Sequence, residues 1–380
     1  MTTALVNGRV LTEAGFRDDV AVLVDGDRIL DVVHANDPRI GTEHVVDLEG
    51  NALLPGFIDW QVNGGGGVLF NDAPSVDTLR RIGSAHRHFG TTGFLPTLIS
   101  DNIGVMRAAI AAVDAAIEQG VPGVLGIHLE GPYIAPARRG AHDATKFRAL
   151  DDAELDLVCS LRHGVTVLTL APERVAPEHI RVLTSRGVIV CAGHTAADYK
   201  QTRTALDAGV RGFTHLYNAM SPLQGREPGV VGAALEDPDS WCGVIVDGHH
   251  VHPASLRIAL AAKARGKIVL VTDAMPPVGA QSDTYVLAGA TITCRDGRCE
   301  TADGVLAGSA LDMARAVRNT VETLGVAFDE AARMGSTYAA DFLGIGSSRG
   351  RIARGLRADL VELDRDFNVV RCWPHIAVSA

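Results

Sequence analysis

The chain has 380 residues, of which 47% are hydrophobic, so it can bury a large core in one large domain or in a large domain with a small one. Its 35 Lys and Arg residues against 45 Asp and Glu residues give a formal net charge of −10, without a dense basic run, which argues against nucleic acid as a partner. The N-terminal sequence lacks a signal-peptide pattern, and no run reaches the roughly 18 apolar residues of a membrane span. A cytoplasmic protein without a membrane partner is therefore expected.

The first 50 residues alternate apolar and polar positions, and Asp25-Gly26 between VAVLV and RILDVV is a hairpin turn signal. The last 30 residues return to a strand-like pattern, LRADLVELDRDFNVVRCWPHIAV. Because neither segment alone has enough strands to be stable, residues 1–51 and 345–380 are predicted to form one small β-sandwich domain.

From residue 52 onward the chain contains eight short apolar runs, with room for a helix between successive runs. The runs are ALLPGFIDW, TGFLPTLIS, VLGIHLEGP, VTVLTLAPE, GVIVCAGHT, GFTHLYNAM, CGVIVDGHH and IVLVTDA. Runs in which apolar residues do not alternate with polar ones are typical of parallel strands buried on both faces. The pattern predicts a (β/α)8 TIM-like barrel over residues 52–344, with a β-hairpin inserted near 284–305 and turning at Asp296-Gly297. A doubly wound open sheet is the alternative, although no GxGxxG turn accompanies the strands.

The six cysteines are scattered, without a CxxC pair, and are expected to be buried thiols. Cys294 and Cys299 flank Arg-Asp-Gly-Arg and could face each other across the inserted hairpin. In a reducing cytosol, however, a bridge between them is not expected.

Polar residues end several of the apolar runs, at the end of the barrel where active sites lie. Glu130 ends the third run, His194 the fifth and His215 the sixth. Two imidazoles and one carboxylate, with a position left for water, are a known catalytic zinc arrangement. The three residues are predicted to hold one divalent ion, with zinc expected and iron, cobalt or manganese as alternatives.

Asp273 ends the eighth run, next to the predicted ion. A bound ion lowers the pKa of water toward about 7 and polarises an amide carbonyl. Asp273 can then accept the proton of the water and return it to a leaving nitrogen, as general base and then acid. The other interpretation is a structural Asp that caps the next helix, but Met275-Pro276-Pro277 follows it.

The N-terminal β module, PGFID, GHT, THLYNAM with a terminal Asp, and GRIARGLRADLV resemble the amidohydrolase superfamily. The order GFIDWQVNG, HLEGPY, GAH, AGHT, THLYNAM, GREPG, DGHHV, LVTDA and LAGS is similar to the N-acetylglucosamine-6-phosphate deacetylase family. The resemblance implies hydrolysis of the linear amide of N-acetyl-D-glucosamine 6-phosphate to D-glucosamine 6-phosphate and acetate, in amino-sugar catabolism and cell-wall recycling. It also implies the same metal ligands and the same role for Asp273.

The resemblance further implies a set of substrate contacts: Ala141, His142, Asn218, Ala219, Arg226, His250, Leu306, Ala307 and Gly308. Arg226 and His250 offer donors for a phosphate, and His142 could donate to the carbonyl oxygen as charge builds on it. In this family the arginine reaches the phosphate of the neighbouring subunit, which implies a homodimer. Four other histidines are interpreted as packing or surface residues: His86, His88, His128 and His249.

One departure concerns the first strand, where many amidohydrolases carry His-x-His for a second metal ion and this chain has Gln61-Val62-Asn63. Amides are weaker donors than imidazoles, so one tightly bound ion is predicted. Two other functions stay open. A hydrolase of cyclic amides would be expected to use the His-x-His pair and a carboxylated lysine, and a non-catalytic barrel that binds a sugar phosphate would not need Asp273.

Overall fold

The computed structural model describes residues 2–42 and 44–374. Its largest sheet has eight parallel strands whose spatial order follows the chain order. The strands are Phe57–Val62, Thr91–Ile99, Gly126–Glu130, Val165–Leu170, Ile189–Ala192, Gly212–Phe213, Trp241–Val244 and Ile268–Leu270.

The two edges of this sheet meet just beyond the eighth strand. The amide of Asp273 donates to the carbonyl of Gln61 over 3.0 Å, and the amide of Asn63 donates to the carbonyl of Ala274 over 2.9 Å. An open doubly wound sheet would leave these groups at opposite edges. The predicted barrel is therefore confirmed.

Seven helices connect successive barrel strands and three follow the eighth, among the described residues. The helices are Val76–Arg87, Ile103–Glu118, Asp152–Val158, Pro177–Ser185, Tyr199–Ala208, Gly229–Glu236, Pro253–Ala262, Met313–Leu324, Phe328–Met334 and Thr337–Phe342. Short 3-10 turns occupy Pro38–Thr42, Pro136–Arg138, Ala144–Lys146 and Pro172–Arg174. None of the helices in the described ranges is long and apolar enough to cross a membrane.

Local sequence explains where a helix such as Tyr199–Ala208 begins and ends. Asp198 accepts a hydrogen bond from the amide of Gln201, whose side chain accepts from the amide of Asp198, so the two form a capping box. Gly209 follows the last turn with φ of 116°, a conformation that side chains beyond glycine rarely adopt. The helix is thus limited at both ends by its own residues.

The terminal segments form two further sheets that share an apolar core. The strand order is Arg28–His34, Val20–Asp25, Thr2–Val6 and His44–Asp47 in one sheet, and Val369–Trp373, Leu360–Leu363, Ala52–Pro55, Arg9–Thr12 and Gly15–Arg17 in the other. Buried Val22, Leu53 and Leu360 belong to one cluster drawn from both sheets. The predicted small β domain from both ends of the chain is confirmed, while its predicted boundaries stay a prediction. The predicted strand-like residues 375–380 lie outside the described part of the chain.

The run ALLPGFIDW, predicted as one strand, serves two sheets. Ala52–Pro55 pairs antiparallel with Leu360–Leu363, and the chain then turns into the first barrel strand. Gly56 lies at the junction, where an added Cβ would come within 2.1 Å of the Thr92 side chain. The absence of a side chain allows the small domain and the barrel to approach each other closely.

The segment after the eighth strand forms a four-stranded antiparallel sheet, where a hairpin near 284–305 is predicted. Its strands are Thr284–Leu287, Ala290–Arg295, Arg298–Glu300 and Leu306–Ser309. This inserted sheet turns at Asp296-Gly297, with Cys294 opposite Cys299.

The expectation of thiols is wrong for this pair, because the structure joins Cys294 and Cys299 in a disulfide with their Cα atoms 4.0 Å apart. The two cysteines face each other across the hairpin, as the sequence allowed, and this direct pairing brings the sulfur atoms into bonding position. Four cysteines are free thiols: Cys159, Cys191, Cys242 and Cys372.

Candidate active site

A cavity of about 480 Å³ opens at the C-terminal ends of the barrel strands, and the inserted sheet forms part of its wall. Eleven of the predicted site residues line it: Glu130, Ala141, His142, His194, His215, Asn218, Ala219, His250, Asp273, Leu306 and Gly308. The volume is within the range of small-ligand sites. The cavity therefore brings most of the predicted site together.

Two predicted contacts do not line the cavity. Arg226 is exposed on the loop before helix Gly229–Glu236. Ala307 is 1% exposed and packs inside the apolar cluster of the inserted sheet. Within one subunit, neither side chain is placed to touch a ligand in the cavity.

Sequence reasoning did not select several residues that line the cavity: Asn63, Ile99, Gly140, His249, Met275, Leu287, Arg298, Gly304 and Val305. His249 had a signal, since it neighbours His250 at the end of the seventh run. His128 is fully buried below the cavity, where its ring nitrogens contact the hydroxyls of Thr97 at 3.0 Å and Thr169 at 2.7 Å.

The three predicted metal ligands converge. Glu130 Oε1 lies 3.2 Å from His194 Nε2 and 2.9 Å from His215 Nε2, and the two imidazole nitrogens are 3.0 Å apart. All three residues are at most 6% exposed. Among the described residues, they are the one group of three His, Cys, Asp or Glu side chains close enough to hold a metal ion.

The hydrogen bonding of His194 tests whether this group suits a cation. Its Nδ1 lies 2.8 Å from the carbonyl of Arg138, which can only accept, so Nδ1 carries the hydrogen. Nε2 therefore directs a lone pair toward Glu130 and His215. A carboxylate oxygen and imidazole lone pairs pointing to one place fit a divalent ion, and the carbonyl orients the ring from outside.

Three of the predicted site residues, two metal ligands and the catalytic Asp273, have unusual backbone conformations. His194, His215 and Asp273 have φ of 48°, 37° and 53°. Non-glycine residues in this region cost on the order of 1 kcal/mol or more each and persist where the surrounding structure enforces them. In each case the chain has just left a barrel strand, so the turn directs the side chain into the barrel mouth.

Asp273 is held by the two amides that replace the His-x-His pair. Its Oδ1 accepts from Asn63 Nδ2 at 2.6 Å and from Gln61 Nε2 at 3.3 Å. Gln61 Nε2 also lies 3.3 Å from Glu130 Oε1, so one amide connects the metal ligand to the acid/base candidate.

The electrostatics of the two carboxylates differ. Burial raises the pKa of Asp273, and the negative charge of Glu130 adds to the effect, bringing it to about 6. Burial also acts to raise the pKa of Glu130, but the interactions of its carboxylate with His194 and His215 outweigh it and hold that pKa well below its ordinary value. The two carboxylates can therefore have different roles: Glu130 stays an anion, and Asp273 can exchange a proton near neutral pH.

His142 lies against the metal site, with its ring centroid 4.4 Å from that of His194. The amide and the hydroxyl of Ser100 approach its Nδ1 at 3.4 and 2.9 Å. An N–H group can only donate, so Nδ1 is the acceptor and Nε2 carries the hydrogen. Burial lowers the pKa of His142 to about 3, so the ring is a neutral donor.

Comparison with known proteins identifies the family of the chain. The sequence profile of the amidohydrolase family matches residues 52–376. An N-acetylgalactosamine-6-phosphate deacetylase of Shewanella sp. strain ANA-3 is 42% identical, covering 96% of this chain and 93% of its own. An N-acetylglucosamine-6-phosphate deacetylase of Haemophilus influenzae is 34% identical over 97% of both chains.

Among solved structures, the N-acetylglucosamine-6-phosphate deacetylase of Pasteurella multocida superposes with a TM-score of 0.94 at 36% identity, covering 98% of both chains. The family profile spans the whole barrel, and these relatives match nearly the full length of the chain. The chain therefore belongs to the amidohydrolase family, in the group that contains these deacetylases.

Proposed function

We propose that the protein hydrolyses the N-acetyl group of N-acetyl-D-glucosamine 6-phosphate, giving D-glucosamine 6-phosphate and acetate in amino-sugar catabolism and cell-wall sugar recycling. The observation that carries the proposal is the convergence of Glu130, His194 and His215 beside Asp273 in one cavity. The relatives named above are deacetylases of this kind of substrate. We further propose that the protein acts in the cytoplasm.

Glu130, His194 and His215 would hold one divalent ion, with zinc expected and iron, cobalt or manganese as alternatives. When bound, such an ion supplies Lewis-acid polarisation of the amide carbonyl and activates water. Asp273 takes a proton from the attacking water and later gives it to the leaving nitrogen. The C–N bond breaks, and the amine leaves with that proton while the carbonyl carbon becomes that of acetate.

His142 is proposed to stabilise the oxygen of the scissile carbonyl. Its Nε2–H is a neutral donor, because Ser100 occupies Nδ1 and burial keeps the ring uncharged. A neutral donor strengthens its hydrogen bond as negative charge develops on that oxygen, which lowers the barrier selectively.

The phosphate is proposed to bind at the other end of the cavity, near Asn218, Ala219 and His250. Ala219 has φ of 49°, in a turn after the sixth strand, and its own backbone amide can serve an anion. Arg226 is proposed to reach the phosphate of a neighbouring subunit, so the active form is a homodimer. Its exposure, away from the cavity of its own subunit, supports this arrangement.

A second candidate substrate is the 4-epimer, N-acetylgalactosamine 6-phosphate. The relative that is 42% identical carries this name, whereas the glucosamine enzyme from Haemophilus influenzae is 34% identical. The two substrates present the same amide and the same phosphate, so the catalytic residues do not separate them.

The test is acetate release from both epimers and from their unphosphorylated forms, before and after chelation. We expect activity on a phosphorylated sugar that disappears on chelation and returns with a divalent metal. Release from neither epimer, together with turnover of a cyclic amide, would replace the proposal with the cyclic-amide alternative. Binding of the sugar phosphate without turnover in metal-loaded protein would favour a non-catalytic barrel.

A further inference from the structure

We infer that Asp247 is a positioning residue that fixes the ring of His250 and determines which nitrogen this ring presents to the phosphorylated sugar. The inference rests on the proposed role of His250 as a substrate contact. Asp247 does not line the cavity and carries out no chemistry itself. It would act through the imidazole alone.

The geometry consists of a closed turn at the end of the seventh barrel run, Asp247-Gly248-His249-His250. Asp247 Oδ2 lies 2.6 Å from His250 Nδ1. Its Oδ1 accepts from the amides of His249 at 2.8 Å and His250 at 2.9 Å. The two side chains are only 4% and 7% exposed, so water does not compete effectively for these bonds.

The carboxylate keeps its charge despite this burial. Burial acts to raise the pKa of Asp247, but hydrogen bonds from the His250 ring and from the backbone amides outweigh it and bring the pKa to about 2. An ionised carboxylate can only accept, so His250 Nδ1 must carry a hydrogen. The other ring nitrogen, Nε2, is left for the cavity that His250 lines.

A phosphate at Nε2 would place a second anion on the other side of the ring. Nδ1–H donates to Asp247, so Nε2 is the nitrogen that meets the phosphate and the ring bridges the two anions. Asp247 therefore holds the ring in the orientation that suits a phosphate ester. An unphosphorylated sugar supplies no second anion, so its binding depends less on the orientation of this ring.

Asp247→Asn separates this role from a structural one. The Asn carbonyl can still accept from the two backbone amides, but its NH2 group faces His250 Nδ1 and reverses the tautomer. The ring then no longer donates from Nδ1 to a carboxylate and cannot bridge two anions. We expect KM for the phosphorylated sugar to rise about 10–100-fold, by analogy with the loss found when carboxylates behind metal-ligating histidines are removed, with little change in kcat.

Asp237→Asn is the matched control. Asp237 is also buried, and its Oδ1 accepts from the backbone amides of Asp239 and Ser240, at the N-terminal end of the same strand. It contacts no histidine among the described residues, so its substitution should leave KM unchanged.

The experiment is a double-mutant cycle of Asp247→Asn and His250→Ala, assayed with phosphorylated and unphosphorylated substrate. We expect Asp247→Asn to raise KM in the parent and to add nothing in the His250→Ala background. Nitrogen-15 NMR of the unsubstituted protein should show His250 Nδ1 protonated, a readout that does not require the variant to fold.

Four outcomes would overturn the inference. If His250→Ala leaves KM unchanged, both the proposed substrate contact and the inference fail. If His250→Ala raises KM while Asp247→Asn does not, or if the two effects simply add, the inference fails alone. An unprotonated Nδ1 in the NMR spectrum also refutes it, whatever the variants do.

Discussion

Asn63 Nδ2 donates to Asp273 Oδ1 over 2.6 Å, so an amide of the first barrel strand fixes the carboxylate that ends the eighth. In amidohydrolases with His-x-His at this place, the corresponding residues are expected to bind a second ion. Here Gln61 and Asn63 instead donate to the carboxylates of Glu130 and Asp273. We propose that these two amides orient the carboxylates, as expected for a site that holds one cation.

Asp273→Asn should keep the fold and the affinity for substrate while kcat falls by at least about 10²-fold, because the amide cannot accept the proton of water. Steady-state kinetics and calorimetric substrate binding check both parts. Asp239→Asn, an exposed change at the opposite end of the barrel, is the control. Turnover near that of the parent would remove Asp273 as the acid/base.

Metal analysis of the purified protein should give one divalent ion per chain. His194→Ala removes one of three ligands and should lower the affinity for the ion by orders of magnitude, with a parallel loss of activity. His86→Ala is not expected to change metal content, because His86 is buried elsewhere with its Nε2 against the carbonyl of Gly64 at 2.8 Å. Two tightly bound ions per chain would contradict the role assigned to Gln61 and Asn63.

Arg226→Ala should raise KM for the phosphorylated sugar by at least about 10-fold and leave the unphosphorylated sugar almost unaffected, since only the former has an anion for the guanidinium. Kinetics on both substrates measure the difference. Arg107→Ala, which removes another exposed arginine on helix Ile103–Glu118, should change neither value. Equal effects on the two substrates would refute the phosphate role.

The action of Arg226 across a dimer can be tested with two impaired variants. A subunit with Arg226→Ala retains Asp273, and a subunit with Asp273→Asn retains Arg226. If the arginine serves the neighbouring active site, mixed dimers recover turnover at low concentrations of the phosphorylated sugar, which neither variant shows alone. No recovery, despite verified subunit exchange, would place the arginine in its own subunit or outside the site.

The pH dependence of stability should carry the signature of Asp59, a fully buried residue below Asp273. Burial raises the pKa of Asp59 from 3.8 to about 7, although hydrogen bonds from Thr272 and Gln61 oppose the shift. Below pH 3.8 the Asp59 carboxyl is protonated in both the folded and the unfolded protein. As pH rises toward 7, the unfolded form releases its proton first, so the stability of the folded protein falls, and above 7 the loss is complete.

Asp59→Asn removes this titration while keeping a neutral side chain of the same shape. We expect the stability of the parent relative to Asp59→Asn to decrease between pH 4 and pH 7, by on the order of 4 kcal/mol as an upper bound. Denaturant or thermal unfolding of the two proteins across this range measures it. A constant difference, or one that increases with pH, would contradict the raised pKa.

The positions of the chemical groups were predictable because parallel strands order them. Glu130, His194, His215 and Asp273 each follow an apolar run, and a barrel brings the ends of all its strands to one face. Their spacing along the chain is therefore irrelevant to their proximity in space. The small β domain was equally predictable from the sequence, because neither terminal segment can bury its strands alone.

Other features depend on how segments pack, which the pattern does not reveal. Arg298 lines the cavity only because the inserted sheet lies against the barrel mouth. The sequence of the insertion does not specify the side on which this sheet packs. The expectation for Cys294 and Cys299 was based on compartment, whereas strand register determines whether the sulfurs meet. The division of ALLPGFIDW at Gly56 depends on Thr92, a residue distant in sequence.

Ala274 pairs on one side with Val62 of the first strand and on the other with Ser309 of the inserted sheet. The insertion is thus hydrogen-bonded to the seam that closes the barrel. For protein engineering this means that residues 284–309 cannot be trimmed as a surface loop. A shortened chain would lose one side of the segment that carries Asp273, and chimeras between relatives should exchange the insertion and this seam as a single unit.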